Sequence, residues 1–82
     1  MADFSEKQKE NLQYFKENLN RWLGDILLKD KYIVIHNKEI KGNFDSFELA
    51  LHYAVANHPK NEFVIQQVIS ADSYINYLKA AI

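Results

Sequence analysis

The side chains in this chain that could do chemistry are three histidines and a few hydroxyls lying close to carboxylates; cysteine is absent. His52 and His58 are six positions apart, and the second follows a helix end beside Pro59, so they miss the i, i+4 spacing of a helical metal pair. His36 closes a strand, and no carboxylate stands at a spacing that would complete a metal site. A nucleophile needs a base and an orienting group. Ser46, next to Asp45, is the best-placed hydroxyl, but a helix cap already explains both residues. Asp45 with Glu48 three positions on reads as a capping box rather than as an acid–base pair. Gly24 and Gly42 are the only glycines and lie far apart, so no glycine-rich phosphate loop can form. The N-terminus of the helix after Asp45 could attract an anion, yet the Asp45 charge would repel a phosphate. The expectation is a chain with no catalytic residue, no metal ligand and no cofactor.

Nucleic-acid binding is disfavoured by the same residue types. Ten Lys and Arg stand against eleven Asp and Glu, and the two signs alternate along the chain without forming a basic patch. Base-stacking sheets carry exposed aromatics flanked by cations. Here Tyr32, Phe44 and Phe63 are the strand aromatics, and the single arginine, Arg21, falls on a helix. Tyr14, Tyr53, Tyr74 and Tyr77 fall near the borders of helical apolar faces, where a phenol stays partly wet and can meet a protein partner.

These residues must be positioned by a small body. At 82 residues the chain is expected to be one domain across 1–82. Per-residue averages give it a stability of about 4–12 kcal/mol. A secreted domain this small usually carries disulfides, so the absence of cysteine leans toward the cytoplasm. Met1 to Asn20 lacks a signal peptide's apolar region, and no stretch approaches the ~20 apolar residues that span a bilayer. No membrane association is expected.

Ser5 with Gln8 reads as a capping box opening a helix over about 6–23, with Leu12, Phe15, Leu19, Trp22, Leu23 and Ile26 on its apolar face and Gly24 as a stop or kink. Lys31 to His36 is apolar on both faces and predicts a central strand. Asn37-Lys38 reads as a tight turn, for which Asn is well suited; Lys is a poor second residue for a two-residue hairpin, so a longer loop is the alternative. Glu39 to Phe44 alternates as a one-sided strand, with Gly42 marking a bulge or a close contact. Asp45 caps a second helix whose apolar face is Phe47, Leu51, Ala54 and Val55 with Ala50, ending at Asn57-His58-Pro59. Glu62 to Ile69 is the third strand. Ser70 or Asp72 then caps a short helix with Ile75, Leu78 and Ile82. The reading is α+β, element order α-β-β-α-β-α, with a three-stranded antiparallel sheet of order 2-1-3. Residues 5–69 form the α-β-β-α-β unit, and 70–82 the C-terminal helix.

The stretch from Lys31-Tyr32-Ile33-Val34-Ile35 through Gly42 to Asp45-Ser46 resembles small bacterial and archaeal domains of unknown function. They share a Lys-Tyr strand, a turn, a second strand ending in Gly, then Asp-Ser and a helix with Glu and Ala. A Pro-containing loop and a strand rich in Val and Ile follow, as in Pro59 to Ile69. The resemblance spans about residues 10–69 and departs at Lys38, where such domains tend to carry Gly. It implies a fold and brings no activity.

Two functions of different class follow. The first is a small non-catalytic protein-interaction module, with a homodimer as one form. The alternative is a small regulatory or nucleic-acid-associated protein, such as a toxin–antitoxin or phage–host component. The candidate interface is the tyrosine face of the last helix (Tyr74, Tyr77 and Ala81) together with the third strand at Val64, Gln66 and Val68. That strand has Glu62 as its only charge, whereas Glu39 and Lys41 guard the other edge.

Overall fold

The structure is a computed structural model, and it describes residues 4–70. Helix α1 spans Glu6–Leu23, strand β1 Tyr32–His36, strand β2 Glu39–Phe44, helix α2 Phe47–Asn57 and strand β3 Phe63–Gln67. The strands form one antiparallel sheet in the order β2-β1-β3, so the two-sided strand is the central one. The C-terminal helix expected over 70–82, with Tyr74, Tyr77 and Ala81, lies outside the described residues.

Alternation along β1 explains the layering. Ile33 and Ile35 point to one face and meet Phe15 and Trp22 of α1, with Val64 and Val68 beside them. Val34 points to the other face and meets Ala50 and Ala54 of α2, with Phe63. The two helices therefore cover opposite faces, and β1 is buried on both. The Ser5–Gln8 capping box opens α1 as the sequence predicts. The expected apolar face fails at its end: after Gly24 the chain leaves the helix, and Ile26 stands 88 % exposed.

The hairpin takes the tight form at Asn37-Lys38 and not the longer loop. His36 pairs with Glu39, leaving a two-residue turn in which Asn37 and Lys38 have φ of 55° and 57°. Both central residues are left-handed, as the twist of a two-residue hairpin requires. Lys38 tolerates this because its N–H is held by Asn11 of α1. Both readings of Gly42 hold. The β1–β2 register shifts between Val34, opposite Gly42, and Ile35, opposite Ile40, so Lys41 is the extra residue of a bulge. A Cβ at Gly42 would stand 2.9 Å from Phe44 Cζ, so the ring lies directly over the glycine.

Helix α2 differs from expectation at both its cap and its face. Ser46, not Asp45, is the N-cap and accepts the Leu49 N–H, while Asp45 pairs with Lys31. The buried centre of the contact with the sheet is made by the small residues Ala50 and Ala54. Tyr32, Phe44 and Ile65 from the sheet and Tyr53 from α2 itself fill the space around them, with the Tyr53 ring 5.2 Å from that of Phe44. Phe47, Leu51 and Val55 consequently flank the contact at 49 %, 39 % and 67 % exposure.

Candidate functional site

Two features stand out from this frame, a polar cluster at one end of the sheet and an apolar groove beside β3. The cluster exists because β1 and β3 pair antiparallel with His36 opposite Phe63. That register places Glu62, the residue before β3, next to the last residue of β1. His36 Nε2 lies 3.3 Å from Glu62 Oε1, and Lys7 of α1 donates to the same oxygen at 3.1 Å. His58, the C-cap of α2, meets the other nitrogen of His36, with Nδ1 to Nδ1 at 2.8 Å. The two rings are edge to face, and Tyr53 of α2 packs its ring edge-on against His58. Asn11 ties the same end together: its amide donates to the Glu62 carbonyl at 2.9 Å and its oxygen accepts the Lys38 N–H at 3.0 Å.

The electrostatics follow from these contacts. The Lys7 ammonium, with a second hydrogen bond from His36, holds the Glu62 carboxyl below the usual carboxylate range. Burial pushes the His58 imidazole below its ordinary value, and electrostatic repulsion from the neighbouring basic groups His36 and Lys41 pushes the same way. The cluster can hold and move a proton. Neighbouring hydroxyls are already engaged, Ser5 Oγ with the Asn61 carbonyl and Tyr53 with the Lys41 carbonyl. Among the described residues, no group of three or more His, Cys, Asp or Glu side chains is arranged to hold a metal ion.

The second feature is a groove lined by Phe4, Gln8, Phe47, Leu51, Phe63 and Ile65, among other uncharged residues. Phe47, Leu51 and Val55 recur at i, i+4 and i+8, which aligns them along one flank of α2. The N-terminal turn of α1 brings Gln8 to the same place, where its amide donates to the Phe63 carbonyl.

The sequence-predicted interface residues fall as follows. Val64 and Val68 are buried among Phe15, Trp22, Ile33 and Ile35, and Val64 and Gln66 also border the groove beside β3. Gln66 is half-buried and opposite Ile33. Tyr74, Tyr77 and Ala81 lie outside the described residues. Sequence reasoning missed the His36–His58–Glu62 cluster and Asn11. Asn11 did leave a signal, because it stands four residues before Phe15 on the helix's apolar side.

Compared with known proteins, the chain matches no family model, no curated protein and no solved structure. No helix among the described residues is long and apolar enough to cross a membrane.

Proposed function

We propose that this chain is a small protein-interaction module that pairs with a second copy of itself across the groove between α2 and β3. The observation behind it is the exposed stripe of Phe47, Leu51 and Val55 beside a groove whose lining carries no charge. A helix apolar on both its buried and its outer flank has surface left to cover. An uncharged apolar patch is complementary to itself, which is what a two-fold interface needs. The opposite edge of the sheet is unsuited to this, because Glu39 and Lys41 form an ion pair on β2 at 2.7 Å.

Sedimentation velocity over a range of protein concentrations tests the reading. The parent chain should reach a dimer at high concentration. Leu51→Glu with Val55→Glu should remain folded, since both side chains are exposed, and should sediment as a monomer. A parent that stays monomeric throughout, or a double variant that still dimerises, overturns it.

A further inference from the structure

The facing Nδ1 atoms of His36 and His58, 2.8 Å apart, restrict where protons can sit. Only one proton fits between two such nitrogens, so one ring donates and the other accepts through a lone pair. Glu62 faces His36 Nε2 and calls for a proton there. Neutral His36 is then the acceptor at Nδ1, His58 is the donor, and His58 Nε2 is a bare nitrogen. That assignment, made from the hydrogen-bond geometry, suits its surroundings, because His58 Nε2 is shut off from solvent without a hydrogen-bond partner. If His36 instead carries both protons, it donates to His58, and the neutral His58 ring then holds its own proton at Nε2, where there is no acceptor. A doubly protonated His58 keeps the hydrogen bond to His36 and fails at the same Nε2. It would aim one N–H at His36 and bury the other with no acceptor.

We propose that the His36–His58 pair is a proton-operated latch, closed while His58 Nε2 is bare and released when that nitrogen takes up a proton. The latch joins the end of β1 to the C-cap of α2, and through Glu62 it reaches the start of β3. Every element packed around it contributes a group. Lys7 comes from α1, Lys41 from β2 and Tyr53 from α2, and Glu62 is the carboxylate of the cluster. Glu62 is already shared between Lys7 and His36, so it does not neutralise a new cation at His58. The lowered His58 value agrees with this and places release below the ordinary histidine value of 6.5. Glu62, itself lowered, stays ionised through that window. Release frees the stretch from His58 to Lys60, while Ser5 and Asn11 still hold the carbonyls of Asn61 and Glu62 at the approach to β3. The inference is independent of dimer formation.

Hydrogen–deuterium exchange of the whole chain at pH 7.5 and pH 5.0, corrected for intrinsic exchange, tests it. The reporters are the amides of His58, bonded to the Ala54 carbonyl, and Glu62, bonded to the Pro59 carbonyl. Their protection should fall at least tenfold at the lower pH while the amides of Ile33 and Ile35 keep theirs. In His58→Gln the ratio between the two pH values should drop to near one. If that variant does not fold, His58→Asn, which also lacks the titrating nitrogen, serves the same comparison. Equal protection of the segment at both pH values in the parent, or a His58 ring that titrates at or above the ordinary value by NMR, overturns the latch.

Discussion

Asn11 Oδ1 accepts the backbone N–H of Lys38, joining the first helix to the tip of the hairpin 27 positions later. The same side chain donates to the Glu62 carbonyl, so one amide fixes the hairpin turn and the approach to β3 together. Asn11 is only 1 % exposed, and neither backbone group can turn to another protein partner without moving.

Replacing Asn11 by Ala should therefore cost about 1–3 kcal/mol, since two part-buried backbone groups lose their partner. Urea titration of variant and parent measures it. A loss under about 0.5 kcal/mol would mean that solvent reaches both groups and that the clip is not needed.

Lys38 holds a left-handed conformation at φ 57° that costs most residues about 1–2 kcal/mol. Glycine pays less there and forms the favoured Asn-Gly turn, though it loses more freedom on folding. Lys38→Gly should raise stability by about 0.5–1 kcal/mol. A lower urea midpoint in this variant would contradict the assigned turn geometry.

Ile33 and Ile35 are fully buried in the central strand, whereas Ile26 is exposed just after α1. Truncating either strand residue to Ala should cost about 2–5 kcal/mol, and truncating Ile26 under about 0.5 kcal/mol. Thermal melts of the three variants rank them directly. Equal melting temperatures for Ile33→Ala and Ile26→Ala would rule out the central placement of β1.

Stability should fall in acid by two separable routes. The His58 value is lowered on folding, so below pH 6.5 the unfolded chain binds more protons and stability declines as pH falls toward the folded value. The carboxyls of Glu62 and Glu39 are also lowered, the first by Lys7 and then His36, the second by Lys41. Their contribution is present above the unfolded value of 4.5 and is lost as pH falls through the folded values. Urea midpoints between pH 8 and pH 3 should show both limbs in the parent. His58→Gln should keep only the lower one. An acid limb near pH 6 that survives in this variant would assign it to another group.

Much of the fold was legible because periodicity reports burial directly. The helical spacing from Leu12 to Trp22, the two-sided apolar run from Tyr32 to Ile35 and the alternation from Glu39 to Phe44 each match the element observed. Position within the element was less legible where two residues offer the same chemistry. Asp45 and Ser46 are both good caps, and the choice between them fell to Lys31, which pairs with Asp45. The expected face of α2 holds at Ala50 and Ala54 and fails at Phe47, Leu51 and Val55, where bulk suggested burial but the sheet aromatics and Tyr53 already fill the space. The His36–His58–Glu62 cluster has no local signal at all. His36 stands more than twenty positions before the other two and meets them only through the β1–β3 register, so the predicted strand order had to be combined with residue-level pairing to find it.

The strand order also has a kinetic side. β1 meets β2 through a two-residue turn, but it meets β3 only after the chain from Asn37 to Glu62 has looped round with α2 inside it. Closing the first contact is a microsecond-scale event of a hairpin, while the second carries the chain-entropy cost of a long loop. The β1–β2 hairpin is thus the natural early structure, with β3 docking as the slower, committing step. Until β3 arrives, one edge of β1 stands open with Ile33 and Ile35 in it. That brief interval, rather than the finished sheet, is when this chain is most exposed to mispairing with its neighbours.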